Sequence, residues 1–182
     1  MTLNIPNSSL IACICEGGAE TAIMNILLDH DLLIFNRDQL LGESVLPRTS
    51  VNDFQRRYLR SEYDRKIHVI RVIDSRSEQF NLREPYRCQI EEVINVITAP
   101  EIEILIIVSE GKYDDFNHSN FDKPSGYCKE FLKYKRFKSQ KFVSEFFDNP
   151  EHLIETIKEY HRLHKQKNNE ASLYDLLKDE LK

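Results

Sequence analysis

The sequence lacks the features that mark membrane-spanning, secreted, collagen-like and disordered proteins. Its 182 residues include five glycines, four cysteines and no tryptophan. No apolar run approaches the roughly 20 residues that a membrane-spanning helix needs. The amino-terminal residues also lack the basic region of a secretory signal peptide. These absences exclude collagen-like repeats and low-complexity disorder. We therefore expect a soluble, cytoplasmic protein that has no contact with a membrane.

The four cysteines do not have the spacing of a metal site or a disulfide framework. Cys13 and Cys15 form a C-x-C pair on one face of a predicted strand, and Cys88 and Cys128 are isolated. Structural zinc sites use C-x-x-C pairs, which this sequence lacks. We therefore predict four buried, inert thiols.

The composition predicts one globular domain. Hydrophobic residues make up 41% of the chain, charged residues 30%, and the net charge is -5. A chain of this length can bury a core without disulfides or a structural metal. We divide the single domain, residues 1–182, into an α/β core over 1–125 and a basic, helical extension over 126–182.

Two apolar runs predict the interior strands of a sheet. Residues 9–15 stop at Glu16-Gly17-Gly18, and a helical pattern follows over 19–33. Residues 66–74 are rich in β-branched side chains and end in Asp74. Strands that alternate with helices predict an α/β fold with parallel strands in its centre.

The remaining elements are mostly helical. Residues 50–63 predict a helix with one apolar and one basic face, capped by Ser50 or Asn52. The other predicted elements are a helical stretch with Tyr86, Ile90 and Val93, a strand over 93–98, a helix whose first turn contains Pro100, helices over 139–147 and 150–165, a short helix over 173–181, and a hinge at 168–171.

Acidic residues follow three of the apolar runs. Glu16 and Asp74 each come directly after a predicted strand, and Glu101 and Glu103 follow the run that ends near Pro100. The carboxyl ends of parallel strands are where α/β sheets bind ligands. Grouped carboxylates there suit Mg²⁺ or Mn²⁺. Alternatively, these acids only solvate the loops that follow strands.

The Glu16-Gly17-Gly18 turn is not a phosphate-binding loop. It lacks both the Gly-Lys-Ser/Thr ending of a P-loop and a GxGxxG pattern, and a carboxylate there repels phosphate unless a cation lies between them. Glu20, four residues after Glu16, is either a further metal ligand or a favourable acid at the start of a helix.

Three segments, ICEGGAE, VIRVIDSR and APEIEILII, resemble Toprim-like proteins over about residues 9 to 110. The similarity extends to OLD-type nucleases and to the RloB-like proteins found at phage-defence loci. The resemblance implies a Toprim-like (Rossmann-like) sheet and Mg²⁺-dependent phosphodiester chemistry. It also implies that Glu16 is a metal ligand or general acid/base, and that Asp74 is the first aspartate of an Asp-x-Asp motif. The segment APEIEILII resembles the Phe-Glu-x-Trp-Leu-Leu stretch of the RloB-like proteins, which matches Glu103 to the glutamate of that stretch.

The sequence departs from this family at Arg76, which stands where the second aspartate of Asp-x-Asp is expected. Glu78 or Glu101 could replace that ligand. Arg76 could instead contact a phosphate and stabilise its negative charge in catalysis. A third interpretation is a relative that has lost cleavage.

A basic segment precedes the predicted carboxy-terminal helices. Its cations are Lys129, Lys133, Lys135, Arg136 and Lys138. They could hold a nucleic-acid backbone while Tyr127, Tyr134 and Phe137 stack on bases. Alternatively, the cations form a solvated surface and the aromatic rings face the core.

The function expected from these features is a Mg²⁺- or Mn²⁺-dependent nuclease or phosphotransfer domain acting on DNA or RNA, with a role in phage defence. The alternative is a non-catalytic Toprim-like scaffold, in which amphipathic helices after Ser139 bind a partner such as an ATPase subunit. A nucleotide hydrolase that uses the same carboxylates is a third, weaker interpretation.

Overall fold

A parallel β-sheet forms the centre of the computed structural model, which describes residues 3–164, 167 and 170–182. Within these residues the sheet has four strands in the order β2-β1-β3-β4, and every neighbouring pair is parallel. The strands are Leu10–Cys15 (β1), Leu46–Pro47 (β2), Ile67–Ile73 (β3) and Ile90–Ile97 (β4). The prediction of an α/β fold with central parallel strands is confirmed.

Helices cover both faces of this sheet. In chain order they are Gly18–Asp29 (α1), Val51–Tyr58 (α2), Glu84–Arg87 (α3), Ile104–Ser109 (α4), Tyr113–Asn117 (α5), Pro124–Glu130 (α6), Gln140–Phe146 (α7), Pro150–Leu163 (α8) and Leu173–Leu176 (α9). Short 3₁₀ turns lie at Arg37–Gln39, Leu41–Glu43 and Asp179–Leu181. None of the helices within the described residues has the length and apolar character needed to cross a membrane.

Alternation along the interior strands produces two hydrophobic cores. In β1, Cys13 and Cys15 face the larger core, whereas Ala12 and Ile14 face the smaller one. Successive strand side chains point to opposite faces of a sheet, so a strand covered on both faces is nearly continuously apolar. Every residue of β1 and β3 is buried. This double burial explains why both strands were predictable as apolar runs.

The strand order places a crevice between β1 and β3. The chain leaves β1 towards β2 on one side, and it leaves β3 towards β4 on the other. Ligands of α/β proteins bind at such a switch point, outside the carboxyl ends of the strands. The residues that directly follow these two strands are Glu16 and Asp74.

Five predicted boundaries are wrong. The helices predicted over 50–63 and 173–181 end at Tyr58 and Leu176. Helix α1 ends at Asp29 rather than near residue 33, because Asp31 adopts a left-handed backbone with φ 52°. Ile90 and Val93 belong to β4, since α3 ends at Arg87. Pro100 lies outside α4, which begins at Ile104.

The carboxy-terminal helices share the larger core. Their buried side chains, Val143, Phe147, Leu153, Ile157 and Leu176 among them, lie in the same cluster as α1 and α4. The predicted hinge at 168–171 lies partly outside the described residues, at 168 and 169. Its last residue is part of the sheet edge, because the Ala171 carbonyl accepts a 2.8 Å hydrogen bond from Ile97 N–H.

The predicted cap of α2 and the burial of three cysteines are confirmed, whereas the predicted burial of Cys88 is wrong. Ser50 caps α2, where its hydroxyl accepts a hydrogen bond from Asp53 N–H. Cys13, Cys15 and Cys128 are buried, and a hydrogen bond with Cys13 together with burial raises the pKa of Cys15. Cys88, however, is exposed.

Candidate metal and phosphate site

Five acidic residues line one pocket at the switch point of the sheet. The pocket has a volume of about 300 Å³. Its acidic residues come from the turn after β1, from α1, from the end of β3 and from the segment before α4. They are Glu16, Glu20, Asp74, Glu101 and Glu103, and Lys138 lies beside them. The sequence placed these acids at separate strand and helix ends, and the fold brings all five to one place.

Glu16 connects the two strands that form the crevice. One carboxylate oxygen, Oε2, accepts a 2.9 Å hydrogen bond from the backbone N–H of Asp74. The other, Oε1, forms an ion pair with Arg48, which follows the short edge strand β2. The Glu16 carboxylate is therefore held by one backbone donor and one cation.

Gly18 is required by a close approach of two backbone segments. A Cβ atom at this position would lie 3.0 Å from the carbonyl oxygen of Lys138 and 3.3 Å from the backbone nitrogen of Gln140. A contact of 3.0 Å is closer than carbon and oxygen atoms normally approach. The glycine lets the start of α1 pack beside the residues before α7, and this packing brings Lys138 to the pocket.

Glu20 is a buried acid with an unusual protonation state. Only 8% of its surface is exposed. Burial raises the pKa of Glu20 to about 7, and the negative charges of Glu103, Glu16 and Asp74 add to this effect. A hydrogen bond from the backbone N–H of Glu20 acts in the opposite direction but is outweighed. Near neutral pH this carboxyl group exchanges readily between its neutral and charged forms.

Lys138 offsets part of the negative charge of Glu101 and Glu103 in the pocket. Its Nζ lies 3.4 Å from Glu101 Oε1 and 3.7 Å from Glu103 Oε1. Burial raises the pKa of Glu103 despite this ammonium group. Burial also acts to raise the pKa of Glu101, but hydrogen bonds from Ser125 and the charge of Lys138 outweigh it and lower the pKa. The two neighbouring glutamates therefore differ in their affinity for a proton.

The donor chemistry fits a hard divalent cation, because the pocket offers carboxylate oxygens and no sulfur or nitrogen ligand except Lys138. The present side-chain positions do not form a complete ligand set. Within the described residues, no three His, Cys, Asp or Glu side chains are grouped closely enough to hold a metal ion. Arg48 and Lys138 pair with acids that a cation would need.

Arg76 lies outside this pocket. Its Nε donates a 2.8 Å hydrogen bond to Glu170 Oε1, and it lines a separate pocket between β4, α8 and α9. The fold therefore brings together the five predicted acids but leaves the predicted catalytic arginine elsewhere. Arg48, which the sequence reasoning missed, is the arginine that contacts Glu16.

Glu78 also lies outside the acidic pocket, in a network of alternating charges. Its carboxylate pairs with Arg71 on one side and with Arg48 Nη2 at 2.8 Å on the other. Arg71 is a buried residue of β3 that also donates to Asn95 Oδ1 at 3.1 Å. The network thus connects Glu16, through Arg48 and Glu78, to the middle of the sheet.

The basic segment divides into two parts. Lys129, Lys133, Lys135 and Arg136 are exposed, whereas Lys138 contacts the acidic pocket. Tyr127 and Phe137 are core residues rather than base-stacking residues. Tyr134 is half-buried, and its hydroxyl donates to Glu110.

Comparisons of the chain with protein-family models, curated proteins and solved structures find no match.

Proposed function

We propose that this chain is a Toprim-like domain that carries out Mg²⁺- or Mn²⁺-dependent phosphodiester hydrolysis or phosphoryl transfer on nucleic acid, with a role in phage defence. One observation carries the proposal: five acids that are distant in the sequence line a single pocket at the switch point of a parallel sheet. The motifs ICEGGAE, VIRVIDSR and APEIEILII, which resemble the Toprim-like family, supply three of the segments that line it.

The residues that would hold a divalent cation are Glu16, Asp74 and Glu103, with Glu101 and Glu20 close by. A cation bound there supplies positive charge against the oxygens of a phosphodiester. Arg48 pairs with Glu16, and Lys138 pairs with Glu101 and Glu103, so a bound cation would compete with both basic side chains for these carboxylates. Once released, their donors can meet phosphate oxygens.

Glu20 is the residue best suited to move a proton. A general acid or base works best when its pKa lies near the operating pH, and the pKa of Glu20 is about 7. Lys138 and Arg48 take the stabilising role that the sequence reasoning gave to Arg76.

A cleavage assay tests this proposal. Purified protein is incubated with labelled single-stranded and double-stranded DNA and RNA, in Mg²⁺, in Mn²⁺ or in chelator. We expect metal-dependent cleavage or phosphoryl transfer by the wild type, and its loss in Glu16→Gln and Asp74→Asn. Asp122→Asn, which changes an exposed acid outside the pocket, should keep the activity.

The proposal fails if the wild type acts on none of these substrates in either metal. It also fails if Asp74→Asn is as active as Asp122→Asn, since the activity would then come from another site or from a contaminant.

A non-catalytic scaffold is the second candidate, and the pairing of Glu16 with Arg48 and of Glu101 with Lys138 favours it. Such pairs offset part of the negative charge of the pocket without a metal. The apolar faces of α7 and α8, however, pack in the larger core, so these helices do not leave their apolar faces open to a partner such as an ATPase subunit. A scaffold would show neither metal binding nor cleavage.

A further inference from the structure

Phe131, at the end of α6, is an aromatic side chain placed against solvent. It is 53% exposed, and it is the one large hydrophobic residue exposed to this degree among the described residues. Its ring stacks on the buried ring of Tyr127, with centroids 4.7 Å apart and planes 24° from parallel. Because Tyr127 covers one face of the Phe131 ring, the exposed area lies on its other face and its edge.

Four cations lie within five residues of Phe131 along the chain: Lys129, Lys133, Lys135 and Arg136. All four are exposed, and within the described part of the chain none forms an ion pair. Glu130 is the one acid in this stretch. A protein of net charge -5 therefore carries a local excess of exposed positive charge in the stretch of chain that contains the exposed ring.

The loop after α6, which carries Lys133, Lys135 and Arg136, has a defined backbone. Tyr134 N–H donates to the Cys128 carbonyl at 3.0 Å, and Ser139 N–H donates to the Arg136 carbonyl at 2.8 Å. Lys133 and Arg136 adopt left-handed conformations with φ 61° and 56°. Because the loop is hydrogen-bonded at both ends, less conformational entropy is lost when a ligand binds to it.

The same loop leads into the acidic pocket. Lys138 is seven residues after Phe131, and a fully extended chain of that length spans at most about 25 Å. A flexible strand bound at Phe131 can therefore extend to the pocket.

We propose that Phe131 stacks on a base of single-stranded nucleic acid, while Lys129, Lys133, Lys135 and Arg136 bind the adjacent phosphates. This inference rests on the proposed function, and it names the form of the substrate. Bases within a duplex are already stacked on their neighbours, whereas an unpaired base offers a free face to an aromatic ring. A single exposed ring beside unpaired cations is complementary to that form.

Binding without metal tests the inference separately from catalysis. The probe is a fluorescein-labelled 12-nucleotide oligothymidylate, compared in chelator with a labelled duplex of equal length by fluorescence anisotropy. We expect the wild type to favour the single strand and Phe131→Ala to weaken its binding about tenfold. Phe131→Trp should restore the affinity.

Matched charge variants separate this surface from general electrostatics. Lys133→Gln with Lys135→Gln should weaken binding and reduce its dependence on salt. The control is Arg57→Gln with Arg60→Gln, which removes two exposed cations in and just after α2. Helix α2 packs in the smaller core, so this change should leave binding unchanged.

The inference is overturned if Phe131→Ala binds the single strand as well as the wild type does, if the duplex binds equally tightly, or if no oligonucleotide binds. In the last case the surface would suit a protein partner instead. Retained binding without cleavage would count against the proposed function alone. Cleavage that persists unchanged in Phe131→Ala would count against the stacking role alone.

Discussion

Glu20→Gln is expected to stabilise the protein by about 3 kcal/mol more at pH 8 than at pH 4.5. The pKa of Glu20 is about 7 in the folded chain, against an ordinary value of 4.5. The folded state therefore keeps a proton that the unfolded state releases between these values. Stability from this group is fully present below pH 4.5 and is lost as the pH rises through 7. Glutamine cannot ionise, so it avoids that loss.

Urea unfolding in chelator at the two pH values checks this prediction. Glu155→Gln is the matched control, because Glu155 is an exposed residue of α8 away from the pocket. Its unfolding free energy should follow that of the wild type at both values. An equal effect of Glu20→Gln at pH 4.5 and pH 8 would show that folding does not change the pKa of Glu20, and would contradict the prediction.

Glu78→Gln is expected to cost about 3 kcal/mol of stability, because it removes the counter-ion of a buried arginine. The side chain of Arg71 is only 3% exposed, and its guanidinium lies 4.9 Å from the centroid of the Phe80 ring. After the substitution Arg71 keeps hydrogen bonds to Asn95 and to the carbonyl of residue 78, but it loses the opposite charge.

A double variant distinguishes the lost charge pair from a general packing defect. Arg71→Met with Glu78→Gln should recover most of the loss, since a buried ion pair can be replaced by apolar side chains at little cost. The control is Glu91→Gln, which breaks the exposed Lys66–Glu91 pair on the same sheet and should cost less than about 1 kcal/mol. Equal losses in Glu78→Gln and Glu91→Gln would contradict the buried network.

The sequence predicted the parts of the fold that double burial determines. β1 and β3 are buried on both faces, so β1 is apolar throughout and β3 is apolar except at His68 and Arg71. β2 has only two residues and no such pattern, so the arginine that follows it carried no signal. Arg48 became visible as a partner of Glu16 only when β2 was placed beside β1.

The position of the acids was predictable for a similar reason. Residues that directly follow neighbouring parallel strands meet at one edge of the sheet, which places Glu16 beside Asp74. Arg76 is two residues further on, beyond the strand, where sheet geometry no longer controls the direction of a side chain. It pairs with Glu170 instead. The exposure of Phe131 was not predictable, because nothing in the sequence distinguishes it from its aromatic neighbours. All five other aromatic residues over 121–142 are buried or half-buried: Phe121, Tyr127, Tyr134, Phe137 and Phe142.

Divalent-cation binding is the most direct measurement of what the acidic pocket does. Manganese binding can be followed by the loss of the free Mn²⁺ signal in electron paramagnetic resonance, with wild type, Asp74→Asn, Lys138→Met and Asp122→Asn compared at one pH. We expect saturable binding by the wild type and by Asp122→Asn, and binding at least about tenfold weaker in Asp74→Asn. Lys138→Met should bind more tightly, because it removes an ammonium group that competes for Glu101 and Glu103. Absence of saturable binding in the wild type, or equal binding by Asp74→Asn, would contradict a metal site in this pocket.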